Sequence, residues 1–455
     1  MGQREQWGSR IGFIFAAAGS AIGLGNVWKF PYLVGMNGGA AFVLVYIILA
    51  IVVGSTVLMA ELTIGRATKK NPVGAFRALS SNPLWQLVGW VGMLAGGFVI
   101  LSYYGVVGGW TIKYMVGSLT GLMDLAVEGK SGDAFGAFIG QPWQVVFYQV
   151  IFMAVTMFIV AGGIGKGIER ACKVMMPLLF VILIILIVRS VTLPGAEKGL
   201  EFYLKPDFSK LNATAFLAAL GQMFFSLSLG MGIMITYGSY LSKDEHIPTC
   251  SAWIIVTDTA VALMAGLAIF PAVFAMGVEP GAGVGLTFVT LPGVFAKMPA
   301  GMFFSFLFFL LLFFAAVTSS MSLLEVATTY AKDEHNWSRS KAVWILGILI
   351  TLLGVPSSFS LSGPPKIAGT DFFDMMGFLS DNIMMPLAAA FACLFLGWVW
   401  LDKARREITN EGSYSFKFIE AWTWSARIIA PVAILWIFYI GLKDSEIFAR
   451  ILELF

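Results

Sequence analysis

The chain has 455 residues, 58% hydrophobic and only 12% charged, with a formal net charge of +3 and a mean hydropathy of +0.84. Soluble domains carry about 25% charged residues, so this composition excludes a chain that folds in water. Apolar runs of about 20 residues recur throughout, each long enough to cross the ~30 Å hydrocarbon layer, and the short alternating segments of a β-barrel are not seen.

Eleven spans are predicted, the first over 11–35. It contains "AAAGSAIGLGNVWKFP" (Ala16–Pro31), a small-residue, Gly-x-Gly composition that a continuous helix disfavours. A cleaved signal peptide would need a longer apolar core than the about five residues ahead of the alanines, and the segment runs on through Phe30. Spans over 40–65, 86–115, 143–162 and 168–190 follow. The second carries Glu61, and the fifth carries Gly167 and Pro177 in "KGIERACKVMMP". Pro removes a bond to the preceding turn and Gly lowers the cost of unwinding, so this is either an ordinary kink or a helix end that loosens.

The sixth span, 213–241, repeats the oddity of the first: "SLGMG" (Ser228–Gly232) echoes "AIGLG" (Ala21–Gly25) five spans later. An odd number of spans per unit makes the second copy run opposite to the first. Breaks at matching places in two halves point to a binding site between repeats. Unwound backbone leaves N–H and C=O groups that lipid cannot satisfy, at several kcal/mol each. Free N–H groups at a positive helix end suit a carboxylate, and free C=O groups suit a small cation; close packing through small residues is the competing reading.

The seventh span, 249–277, places Asp258 among apolar neighbours, where it needs a cation, a proton or several donors. The loop over 277–301 is apolar enough to fold back as a lid. The eighth span, 301–331, holds Thr318, Ser319 and Ser320 consecutively, with Glu325 near its end. Such hydroxyls either bond to their own backbone or offer hard oxygen to Na⁺. Spans over 342–356, 372–401 and 418–442 complete the set, and the tail 443–455 has an apolar stripe suited to the membrane interface.

Lys and Arg cluster in alternate loops: Arg4 and Arg10; Arg66, Lys69, Lys70 and Arg77; Lys166, Arg170 and Lys173; Lys332, Arg339 and Lys341; Lys403, Arg405, Arg406 and Lys417. The positive-inside rule puts these loops and the N-terminus in the cytoplasm, and an odd span number puts the C-terminus outside. Cys172, Cys250 and Cys393 form no disulfide or metal-ligand pattern, and His246 and His335 lie in short charged loops. His-based catalysis and proton relay are therefore not expected, and a Ser319–Asp258 enzyme would lack its base. An ion channel would need a continuous polar lumen rather than polar groups clustered at one depth. No nucleic-acid partner is expected; the bilayer is.

The stretches "REQWGSRIGFIFAAAGSAIGLGNVWKFPY", "NGGAAF", "SYYGVVGGWT", "GIGKGIERACKVMMP", "FFSLSLGMGIMITYGSYL", "LTFVTLP" and "FFAAVTSSMSLLE" resemble the neurotransmitter:sodium symporter family, specifically its bacterial amino-acid members, over nearly the whole chain. The resemblance implies an all-α polytopic membrane protein with one transporter domain over 1–442. Two inverted five-helix repeats, 11–190 and 213–401, would have discontinuous helices 1 and 6, and the span over 418–442 would stand outside them. It also implies Na⁺-driven import of free L-amino acids by alternating access across a bacterial-type cytoplasmic membrane; a non-transporting, Na⁺-dependent sensor of the same fold is the alternative.

Carried over by position, the resemblance places the substrate carboxylate on the N–H groups of Leu24 and Gly25 and on the Tyr104 hydroxyl. The side-chain pocket would be Ser20, Ile100, Tyr104, Phe225, Ser228, Met231, Ser319 and Leu323, beside Ala21 and Ser226. One Na⁺ would meet Ala21, Asn26, Ser226, Asp258 and the substrate carboxylate; a second would meet Gly19, Ile22, Ala315, Thr318 and Ser319. Arg4 and Asp333, with Trp7 and Tyr240, would close the cytoplasmic side; Phe225 and Tyr104 would form the lid, and Lys29 the outer gate. Gly167 and Pro177 would form a hinge in the fifth span.

Three departures matter. Chloride-dependent relatives hold the anion with Tyr, Gln and hydroxyl groups; Tyr46, Gln222 and Ser226 match, but the anion's serine position is Ala262 and a usual Asn is Asp258. Asp258 would then compensate the charge in place of chloride, and no chloride requirement is expected. The outer Arg–Asp pair becomes Lys29 and Gly377, so Asp374 or Asp381 would have to reach Lys29. The Asp with which amine-transporting relatives bind their substrates is Gly23 here, which favours a zwitterion, and no charge lines the side-chain end of the pocket. Neutral, mainly hydrophobic amino acids follow.

Overall fold

The structure is a computed structural model that describes residues 4–277 and 285–453. Among the described residues nine helices are long and apolar enough to cross a membrane: Ala40–Thr68, Leu84–Gly117, Pro142–Ala161, Ile164–Val191, Ile247–Ala275, Gly301–His335, Arg339–Ser360, Phe372–Val399 and Ile419–Lys443. A tenth span is a pair, Arg10–Ala21 and Gly25–Met36, bent by 50°. Helices Ala213–Ser226 and Ile233–Gly238, each too short to cross alone, occupy the place of the predicted sixth span. Helices stand at the place of each predicted span, ten of them long enough to cross when the bent pair counts as one, and the segments are numbered 1 to 11 in chain order.

Two boundaries differ from the predicted ones. Span 9 runs on to Ser360 with Pro356 inside the helix, rather than ending at 356. Pro356 lacks the N–H that would bond Leu352 O, and the helix nevertheless continues through it to Ser360. Span 5 begins earlier than predicted, with a wide π-type turn over Ile164–Glu169, and Pro177 lies within the regular helix that follows.

The two breaks have different local causes. Span 1 starts at a cap, Ser9 Oγ accepting from Gly12 N at 3.0 Å, and its first half ends at Ala21. In span 6 the backbone turns left-handed three times, at Ser228 (φ 54°), Gly230 (φ 73°) and Gly232 (φ 72°). Glycine adopts this region freely; serine does not, and Ser228 is held there by its hydroxyl bond to Ser20 O at 2.9 Å.

The loop predicted as a lid contributes helix Leu286–Ala296. Phe288 in it packs against Trp28, Trp110 and Tyr114 with ring centroids 6.2, 5.5 and 5.1 Å away. The rest of that prediction, 278–284, lies outside the described residues. The tail holds helix Glu446–Leu452, which starts at a Ser445 cap.

Candidate binding site between the two broken helices

Spans 1, 3, 6 and 8 enclose about 310 Å³ of space free of protein atoms. Ten of the twelve predicted substrate residues line it: Ser20, Ala21, Gly25, Ile100, Tyr104, Phe225, Ser228, Met231, Ser319 and Leu323. Gly23 and Ile233 line it as well, whereas Leu24 and Ser226 do not. Leu24 offers backbone instead, donating its N–H to Tyr104 Oη at 3.3 Å. Ser226 turns its hydroxyl away to Asp258. Most of the lining is buried, Tyr104 being 4% exposed and Met231 3%, while Phe225 is partly exposed.

Ser20 joins the walls. Its carbonyl accepts from both Ser228 Oγ and Ser319 Oγ at 2.9 Å, and its hydroxyl lies 2.6 Å from Ser322 Oγ. A Cβ at Gly23 would stand 2.6 Å from Ser319 Oγ and 3.1 Å from Tyr104 Oη, so a side chain there would push on both.

Behind the first break lies Asp258, fully buried. Its carboxylate accepts from Asn26 Nδ2 at 2.8 Å, from Ser226 Oγ at 2.9 and 3.0 Å, and from Tyr46 Oη at 3.1 Å. All of these donors are neutral, and among the described residues no Lys, Arg or His forms an ion pair with Asp258. A buried carboxylate with only neutral donors lacks its counter-charge. Gln222 Nε2 donates to Gly25 O at 2.8 Å, while Gln222 Oε1 is buried without a partner. Ala262, one turn beyond Asp258, contributes no polar atom.

The second predicted cation cluster comes together across spans 1 and 8, where a Cβ at Gly19 would lie 3.3 Å from Thr318 Cβ. Two of the three consecutive hydroxyls bond to their own backbone and one does not. Thr318 Oγ1 donates to Phe314 O and Ala315 O at 3.0 Å and Ser320 Oγ to Val317 O at 3.0 Å, whereas Ser319 Oγ crosses to span 1.

At the Lys/Arg-rich end, Arg4 Nη1 lies 2.7 Å from both oxygens of Asp333 and Nη2 donates to Ser239 Oγ at 2.6 Å. The Arg4 guanidinium sits 4.9 Å over the Tyr240 ring, and Trp7 Nε1 donates to Tyr237 O at 3.1 Å. Sequence reasoning missed Glu5 and Glu169 around this latch and gave Glu325 and Glu61 no partners. Glu5 pairs with Lys332 (2.6 Å) and Arg339 (3.2 Å) and accepts from Ile164 N at 3.0 Å. Burial pushes the Glu5 carboxyl up, but Arg339, Lys332 and the Ile164 N–H outweigh it and hold it down at about 2. Glu169, at the start of span 5, accepts from Gly8 N (2.7 Å) and Ser9 Oγ (3.0 Å). Glu325 is fully buried and bound by Arg339 and the Tyr240 hydroxyl. Glu61 accepts from Gly230 N at 2.8 Å, which ties span 2 to the second break.

At the opposite end Lys29 Nζ pairs with Asp381 Oδ2 at 3.3 Å and stands 4.9 Å over the Phe225 ring. Of the two acids left open by the sequence, Asp381 therefore takes the place of the missing Asp: it lies one helical turn beyond Gly377 and shares its face. Tyr103 Oη also donates to Asp381, at 3.4 Å.

Two membrane helices broken around one largely buried cavity, with an ion pair toward each end, are the architecture of a membrane transporter. A family model described as the sodium:neurotransmitter symporter family matches residues 4–128 and 135–448. The chain belongs to that family. It is 41% identical over 438 residues to an uncharacterized sodium-dependent transporter, YhdH, of Bacillus subtilis, covering 95% of this chain and 96% of that one. An uncharacterized sodium-dependent transporter of Methanocaldococcus jannaschii is 33% identical over 454 residues, covering 94% and 89%. The crystal structure of MhsT in complex with L-phenylalanine superposes with a TM-score of 0.88 at 44% identity, covering 96% of this chain and all of that one. The protein is accordingly a multi-pass, sodium-dependent transporter.

Proposed function

We propose that this chain imports neutral, mainly hydrophobic L-amino acids together with Na⁺ by alternating access, without requiring chloride. The observation that carries this reading is Asp258, a fully buried carboxylate whose partners are all neutral donors. A cation beside Ala21, Asn26, Ser226 and Asp258 would find its counter-charge built into the protein. The substrate carboxylate, held at Leu24, Gly25 and Tyr104, would share that first Na⁺, so each ligand improves the other's site. A second Na⁺ would be taken by Gly19, Ile22, Ala315, Thr318 and Ser319. The presence of L-phenylalanine in MhsT and the uncharged lining of the cavity here support an apolar side chain, with Met231 as a pliable wall.

The same reading places the Lys/Arg-rich end in the cytoplasm of a bacterial-type inner membrane, the C-terminus outside, and the domain over 1–442 as two inverted repeats plus span 11. The Arg4–Asp333 latch is then the inner gate, and Lys29–Asp381 with Phe225 and Tyr104 the outer one. In proteoliposomes with an inward Na⁺ gradient, uptake of labelled leucine or phenylalanine should be equal within twofold in chloride and in gluconate. A fivefold loss in gluconate would refute chloride independence, and uptake without Na⁺ would refute coupling.

The start of span 5 serves as the hinge that opens the inner side. A Cβ at Gly167 would overlap Ile159 O, so Gly167→Ala distorts the fold locally and tests little. Gly165, on the same wide turn, has nothing within 4 Å of a built Cβ. Gly165→Ala should slow transport several-fold and leave Na⁺-dependent binding within twofold; equal loss of both would count against the hinge.

A further inference from the structure

The opposite end from the Lys/Arg-rich loops holds a second, larger recess that the transport reading does not use. It lies between the end of span 3, helices Leu122–Val127 and Ser131–Ile139, and the start of span 4. About 1000 Å³ of space free of protein atoms is bounded there. Lys113 is the one charged residue among its lining. Lys113 sits inside span 3, a little over one turn from its end, with its ammonium 5.9 Å from both the Phe138 and the Tyr148 rings. Among the described residues no carboxylate lies within 4.0 Å of it, although this chain pairs many of its other cations.

An ionisable side chain within a membrane helix is costly and calls for a partner. Two aromatic faces supply part of the attraction, but they leave a full positive charge. Gln141, Gln144 and Thr120 add polar atoms on the rim. The surrounding surface is apolar and exposed, through Val116, Leu119, Leu125 and Phe147, and Trp143 stands beside it as an interfacial aromatic. A free anion would use the charge and leave the apolar rim without a role; an amphiphile uses both.

We propose that this recess binds an anionic phospholipid from the adjoining leaflet, its phosphate paired with Lys113 and its acyl chains laid along spans 3 and 4. A lipid with net charge −1 balances the lining, whereas phosphatidylcholine brings its own cation and leaves Lys113 uncompensated.

Native mass spectrometry of the delipidated full-length protein tests this with dioleoylphosphatidylglycerol and dioleoylphosphatidylcholine as probes. The wild type should retain phosphatidylglycerol at least fivefold more tightly than phosphatidylcholine. Lys113→Gln should remove that preference, Lys113→Arg should keep it, and Lys130→Gln, an exposed cation nearby, should leave it unchanged. All three should keep wild-type Na⁺-dependent substrate binding. Equal retention of the two lipids, an unaltered Lys113→Gln, or an equal effect of Lys130→Gln overturns the proposal. Displacement of the lipid by millimolar inorganic phosphate overturns it in favour of a free-anion site. If Lys113→Gln fails to fold, a photoreactive phosphatidylglycerol on the wild type decides: crosslinks to 109–148 support the site, and crosslinks only elsewhere refute it.

Discussion

Asp258→Asn should weaken Na⁺-dependent amino-acid binding by at least about a hundredfold, equivalent to ~2.7 kcal/mol. The substitution removes the negative charge and also turns an amide N–H₂ toward groups that now donate: Asn26 Nδ2, Ser226 Oγ and Tyr46 Oη. Losing one partner of a buried charge pair costs about 3–5 kcal/mol, so a hundredfold is the lower end. A scintillation proximity assay with labelled substrate across a Na⁺ titration reads it directly. Adding Ala262→Ser to the variant should restore binding in chloride and not in gluconate, because Tyr46, Gln222 and Ser226 then surround a neutralised site. Unchanged Na⁺ affinity in Asp258→Asn would end the assignment of the first ion site.

Gly23→Ala should weaken substrate binding by about ten- to a hundredfold, with the larger loss for bulky side chains. The new methyl enters the cavity 2.6 Å from Ser319 Oγ and 3.1 Å from Tyr104 Oη. Overpacking of this kind costs about 1–3 kcal/mol, which corresponds to that range of affinity. Competition by unlabelled alanine, leucine and tryptophan should show the order of loss rising with size. Equal loss for all three, or no loss, would place the substrate elsewhere. The unfolding temperature should fall by only a few degrees, because the methyl meets the ends of the Ser319 and Tyr104 side chains rather than backbone.

The site was readable from sequence to an unusual degree because it is built largely from backbone. Paired Gly-x-Gly segments announce where helices end, and Asp258 in an apolar run announces a charge that needs company. What stayed hidden were the tethers that hold the breaks in place. Glu5 and Glu169 read as ordinary loop or helix-end acids, and Glu325 stood out without a partner; their partners at Ile164, Gly8 and Arg339 lie between 14 and 161 residues away. Charge near a membrane surface carries no signature of its partner. The predicted end of span 9 falls four residues short, because the helix continues through Pro356 to Ser360. The choice between Asp374 and Asp381 needed helical phase at a resolution that hydropathy does not give.

Ser20 ties three segments of the chain with one residue: its carbonyl takes hydrogen bonds from span 6 and span 8, and its hydroxyl meets span 8 again one turn along. No one of these segments can withdraw without disturbing the others. On the reading proposed above, a pathway that frees the ion ahead of its passenger, or the reverse, would first have to break a knot that spans 1, 6 and 8 share.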